Sequence, residues 1–137
     1  MGDLTPKIKT IFILLVAAQA AHSFEEIKFE LWQYVAPSRW IGELFHDDVA
    51  VGFAIANGLI VAFGLWCYFA RVRPGHRAAK FWITIWALVE VVNGLGHPLV
   101  VFYQGRYFPG VYTAPLLLVT ALYILVALRR GEPSSSH

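Results

Sequence analysis

Four apolar runs, each close to the length of a bilayer crossing, constrain this chain more than any other feature. They cover residues 8–24, 49–70, 81–102 and 111–128. A helix needs about 20 apolar residues to cross a hydrocarbon core of about 30 Å. The expected fold class is therefore all-α. It is an integral membrane bundle of four transmembrane helices, near 8–32, 49–70, 80–102 and 111–129, in a single domain over 1–137. Composition agrees: 58 % of residues are hydrophobic and 15 % charged, against about 45–50 % and about 25 % in soluble domains. Trp residues at the run ends suit the bilayer interface.

The segments between the runs read as loops: 36–38, the basic stretch 71–77, and 104–110. The polar tail 131–137 reads as disordered. The first run has a rival reading as a secretory signal peptide. Lys7 and Lys9 precede an apolar stretch and an Ala18-Gln19-Ala20 site. Against that, the apolar run continues past the site into a motif dense in acids. Lys7, Lys9, Arg71, Arg73, Arg77, Lys80, Arg129 and Arg130 flank one side. Only Lys28, Arg39 and Arg106 lie in the other two loops. The positive-inside rule then places both termini in the cytoplasm of a bacterial-type inner membrane or its equivalent.

Other classes fall away. The net charge is +2, and the basic residues form no nucleic-acid-binding face. Cys67 is alone, which excludes an intrachain disulfide and a CxxC site.

The nine acids are unevenly spread. Six lie between Glu25 and Asp48, at the outer end of the first two helices. Glu90 sits midway along the third run, where facing lipid would cost at least ~2.5–3.5 kcal/mol. It should face the bundle interior. At helical spacing, His22, Glu25 and Glu26 share one face, and Glu90, Asn93 and His97 share another. His46 and Asn57 would share a face if the second helix began before His46. Rise along the helices puts His22 and Asn93 roughly 20 Å from the inner surface, and Asn57 at about 18 Å. Face and depth argue for one polar site in the outward half. Pro98, after His97, is expected to kink the third helix or end its regular part.

Three motifs occur in order. His22-Ser-Phe-Glu25-Glu26 reads HxxEE, Asn93 to His97 reads NxxxH, and Tyr107 to Thr113 reads YxPGxxT. Together, over about residues 11–128, they resemble the HXXEE-domain family of small membrane proteins. The resemblance implies a short membrane protein and marks these residues. It implies no reaction.

His22, Glu25, Glu26, Glu90 and His97 are the residue types of a transition-metal site for Zn, Fe or Mn, which helix bundles build from facing helices. Glu26, Glu90 and Tyr107 are the candidate acid–base groups. Asn93, Asn57, His46 and Thr113 are candidates for orienting them. The alternative is a buried polar network that fixes helix register. Asp47 and Asp48 read as caps of the second helix, and His76 and His137 as non-functional. Three functions follow. One is a membrane metalloenzyme, hydrolase or oxidase, acting on a lipid or other small apolar substrate. Another is a metal-free acid–base isomerase. The third is a carrier or binding protein, with a homo-oligomer compatible.

Overall fold

The computed structural model describes residues 4–130, and every regular element in it is helical. The tail 131–137 and the residues Asp3, Glu132 and His137 lie outside the described residues.

Helix α1 runs over Pro6–Lys28. Thr5 caps it by accepting from the Ile8 amide at 3.3 Å, and Pro6 occupies the first turn, where its missing N–H costs nothing. The helix was expected to reach Trp32 but stops at Lys28. Glu30 adopts a left-handed conformation, with φ 57°, and a short 3₁₀ turn over Leu31–Gln33 follows. That turn redirects the chain into α2, Ala36–Phe45, in a segment read as loop. With ten residues it is far too short to span a membrane. Pro37 lies in its first turn, so a residue that reads as a breaker here starts a helix.

Helix α3, Val49–Cys67, starts at the Asp48 cap, whose Oδ1 accepts from the amides of Ala50 at 2.9 Å and Val51 at 3.3 Å. It therefore begins after His46, and His46 shares no helical face with Asn57. His46 instead turns back, its Nδ1 accepting from the Asp48 amide at 2.9 Å. A π-helical turn over Tyr68–Val72 closes α3. Helix α4 spans Ala79–Gln104 and passes through Pro98 without ending. The proline removes only the N–H that would bond the Gly94 carbonyl. Gly105, with φ 65°, stops it. Helix α5, Ala114–Arg130, begins three residues later than its apolar run.

Three of these helical segments are long and apolar enough to cross a membrane: Pro6–Lys28, Val49–Val72 and Ala79–Gln104. Helix α5 has 17 residues.

Helix α1 is the central element, packed against both α3 and α5, while α4 packs mainly on α5. One apolar core joins Phe12, Leu15, Ile83, Leu117 and Ile124, all fully buried. Close approach matters at two glycines. A Cβ on Gly94 would stand 2.7 Å from the Cβ of Leu118, so α4 and α5 touch backbone to side chain there. A Cβ on Gly52 would collide with the Gly42 carbonyl, which lets α2 fold tightly onto α3. Apolar side chains such as Leu59, Val92, Phe102 and Val119 remain exposed on the outside of the bundle. That is the surface a lipid-facing helix presents.

Candidate metal centre

Apolar packing of α1 against α5 and α4 leaves one polar patch inside the bundle. On α1, Gln19, His22 and Glu26 stand three and four residues apart, so helical spacing puts them on one face. All three are buried, as are Glu90 and His97 on α4.

His22 Nε2 lies 3.2 Å from His97 Nε2, and each is 3.3 Å from Glu26 Oε1. These atoms form a nearly equilateral triangle. Among the described residues, this is the group of His, Cys, Asp and Glu side chains that could hold a metal ion.

The outer nitrogens decide what the triangle can hold. His97 Nδ1 is 2.6 Å from the Pro109 carbonyl oxygen, which only accepts, so Nδ1 carries the proton. His22 Nδ1 is 2.8 Å from Thr113 Oγ1. The Thr113 hydroxyl donates to Glu25 Oε2 at 2.7 Å, so toward His22 it accepts. His22 Nδ1 therefore carries a proton too. In neutral imidazoles so arranged, both Nε2 atoms present lone pairs. They face a carboxylate oxygen across 3.2–3.3 Å. Three acceptors this close are reconciled either by a cation held among them or by a proton on an imidazole or on the carboxylate.

The spacing fits a tetrahedral cation with short bonds. Tetrahedral ligand atoms stand about 1.63 bond lengths apart, so Zn–N bonds of about 2.0–2.1 Å give edges of about 3.3–3.4 Å. Imidazole and carboxylate are also ligands that zinc and iron accept. The hydrogen bonds on both Nδ1 atoms fix ring orientation, as the outer partners of metal-bound histidines do.

Glu25 is drawn elsewhere, although it was grouped with the ligands. Its Oε1 accepts from the Tyr107 hydroxyl at 3.0 Å and the Tyr112 amide at 3.1 Å. Its Oε2 accepts from the Thr113 amide at 2.9 Å and the Thr113 hydroxyl. Four donors leave it no free edge for a metal. It instead ties the 107–113 loop to α1 and sets the Thr113 hydroxyl against His22. Burial, then the hydrogen bond to Glu25, pushes the Tyr107 phenol above its ordinary pKa, so Tyr107 is held as a donor.

Glu90 also stands outside the triangle. Its neighbours are amides. Asn93 Nδ2 donates to it at 3.4 Å. Gln19, with its nitrogen toward the carboxylate, donates at 3.1 and 2.8 Å, and its oxygen accepts from the Ser23 hydroxyl at 3.0 Å. The opposite amide orientation would set two acceptors face to face.

Asn57 does not reach this cluster. Its Nδ2 donates to the Phe53 carbonyl at 3.2 Å, and its side chain lines a groove between α1 and α3. His46, three residues before α3, is exposed and bonds the Asp48 amide, outside the triangle.

Several participants escaped the sequence reading. Gln19 had a signal, an amide three residues before His22 in an apolar run. Ser23 lay inside the HxxEE motif. The Pro109 carbonyl had none, because a backbone acceptor carries no mark in sequence. Gly110, with φ 95°, passes directly over the histidines. A Cβ there would fall 2.5 Å from His97 Cε1 and Nδ1 and 2.7 Å from His22 Cε1.

Two residues of the triangle, His22 and Glu26, lie in a segment that reads HxxEE. A family model described as "protein of unknown function with HXXEE motif" matches residues 13–124. The chain belongs to the HXXEE family. Its HxxEE segment supplies His22, Glu25 and Glu26, two of which stand in the triangle. No curated protein and no solved structure matches the chain. What the HXXEE residues do must therefore be argued from their chemistry.

Proposed function

We propose that this HXXEE protein is a membrane-embedded, metal-dependent hydrolase with an apolar membrane substrate. His22, Glu26 and His97 would be the metal ligands. The observation that carries this reading is the triangle of three lone-pair atoms at 3.2–3.3 Å, with both histidines oriented through Nδ1.

Two imidazoles and one carboxylate are a ligand set of hydrolytic zinc sites, with a fourth position left for water or substrate. Bound there, the metal supplies a water of lowered pKa and polarises a carbonyl or phosphoryl oxygen. With Glu26 a ligand, Glu90 is the carboxylate left to take a proton. Gln19 and Asn93 hold it by donating to its oxygens. Asn93 thus serves Glu90 rather than the metal. Thr113 orients His22, Glu25 orients Thr113, and the loop from Tyr107 to Thr113 shields the site from water.

Four membrane crossings complete the reading. Helix α5 has 17 residues, the lower limit for a span of about 17–25. Arg129 and Arg130 at its end can reach the interface. The contact of Lys9 Nζ with the Arg73 carbonyl at 2.9 Å joins two basic segments at one end of the bundle. That end would be cytoplasmic by the positive-inside rule, with the metal site toward the other.

Elemental analysis of the purified full-length protein tests the proposal. One equivalent of zinc, iron or manganese is expected, lost in His22→Ala, Glu26→Ala and His97→Ala. Metal-free wild-type protein after metal-supplemented expression would favour the acid–base or carrier reading instead.

A further inference from the structure

Helix α2 has an apolar side that the rest of the described chain leaves exposed. At about 100° per residue, Trp40, Leu44, Pro37, Ile41 and Phe45 fall in that order within one arc of about 140°. All five are exposed, Trp40 at 64 % and Leu44 at 79 %. Ser38 and Gly42 come next around the helix, and both are buried. Gly42 is where α2 meets α3, since a Cβ on Gly52 of α3 would strike its carbonyl. Arg39 and Glu43 close the circle on the far side, paired at 3.0 Å and open to solvent.

The α3 contact thus sits between the apolar side and the polar side of α2. Ile41 and Phe45 show which way the apolar side points. They line a groove of about 350 Å³ together with Leu59, Ile60 and Phe63, further along α3 than its Gly52 contact. Arg39 and Glu43 do not line it. Those three α3 residues are exposed, in a segment, Val49–Val72, long and apolar enough to cross a membrane. The apolar side of α2 therefore continues the exposed apolar surface of α3, and the Arg39–Glu43 pair lies away from it. Helix α2 also lies between the end of α1 and the start of α3, at the opposite end of the bundle from the Lys9–Arg73 contact.

We infer that α2 is an in-plane membrane helix, seated on the lipid interface at the end of the bundle that carries Asp47 and Asp48. Trp40, Ile41, Leu44 and Phe45 dip into the boundary between headgroups and acyl chains, about 5–10 Å deep, as amphipathic interfacial helices do. Arg39 and Glu43 stay in water. Trp40 suits this layer, because an indole has an apolar body and one N–H for the wet side. A second copy of the chain is the other occupant such a face can take. Helices in a membrane associate through small residues that let their backbones approach. Helix α2 turns Ser38 and Gly42 toward α3, and its exposed arc has no small residue. Arg39 and Glu43 offset each other's charge, so the contact needs no anionic lipid. This surface lies outside the metal centre and stands whether or not the triangle holds a metal.

Electron paramagnetic resonance of the spin-labelled full-length protein in phosphatidylcholine nanodiscs is the test. Ile41→Cys, Leu44→Cys, Arg39→Cys and Glu43→Cys each carry one label in a Cys67→Ala background, with Leu59→Cys as the reference deep in the α3 span. All five positions are exposed, so a label there displaces no packed side chain. Collisions with oxygen, which concentrates in lipid, and with a water-soluble nickel chelate, which lipid excludes, give the depth of each label. Labels at 41 and 44 are expected to favour oxygen, at a depth of about 5–10 Å and shallower than the label at 59. Labels at 39 and 43 are expected to favour the chelate. Chelate access at all four α2 positions would overturn the inference. So would all four labels at the depth of position 59, which makes α2 a re-entrant segment, or dipolar broadening between the position-44 labels of two copies, which makes the arc a protein interface. A second measurement keeps Cys67 in place. Lipids brominated near the headgroup should quench more tryptophan fluorescence in wild type than in Trp40→Phe, and identical quenching in the two would overturn the inference as well.

Discussion

His22 Nε2 on α1 and His97 Nε2 on α4 face each other across 3.2 Å, although 75 positions separate them in the chain. Their rings meet edge to face, with centroids 4.6 Å apart. Each ring is held from behind by the same short loop, through the Thr113 hydroxyl for His22 and the Pro109 carbonyl for His97.

Thr113 should therefore tune the site without touching what it binds. Thr113→Val keeps the shape and removes the hydroxyl that receives the His22 proton. Metal affinity is expected to fall about 10- to 100-fold, the usual effect of losing an outer-sphere partner. Thr113→Ser should restore most of it. Competition with a chromophoric chelator measures both. An unchanged affinity in Thr113→Val would mean that His22 orientation does not matter.

Gly110 should tolerate no side chain. Its φ of 95° disfavours an L-residue, and a Cβ would fall within 2.5–2.7 Å of both imidazoles. Gly110→Ala is expected to abolish metal retention while helical circular dichroism stays at the wild-type level. Retained stoichiometric metal would show that the loop does not press on the histidines as described.

The helices were legible in the sequence because apolar length alone marks them. Residues 8–24, 49–70, 81–102 and 111–128 each became the body of a helix. The pairing of His22 with Glu26 was legible too, since residues four apart on a helix share a face. Helix α2 was not, because ten residues opening on Ala36-Pro37 look like a turn until α3 gives them a surface to pack on. The role of Glu25 was hidden for a related reason. Three of its four donors belong to Tyr112 and Thr113, and two of those are backbone amides that no spacing rule brings to α1. His46 misled because its helical face was conditional on where α3 starts, and Asp48 starts it later.

Tyr107 gives a pH prediction. Burial and the Glu25 carboxylate raise its phenol above the ordinary value of about 10. A group whose folded pKa lies above its unfolded one lends stability below the unfolded pKa and loses it as pH rises through the folded one. The loop contact should thus be intact at neutral pH and weaken only above the ordinary tyrosine range. A tyrosinate difference spectrum between wild type and Tyr107→Phe should show no ionisation of Tyr107 near pH ~10. Ionisation there would contradict the Tyr107–Glu25 hydrogen bond.

X-ray absorption at the metal edge of the loaded wild-type protein tests the central claim most directly, because it reads the ligand atoms themselves. The account predicts a first shell at about 2.0–2.1 Å with the multiple-scattering signature of two imidazoles and a light oxygen neighbour. A spectrum without imidazole scattering, or one with a sulfur shell, would contradict the assignment of His22, Glu26 and His97 as ligands.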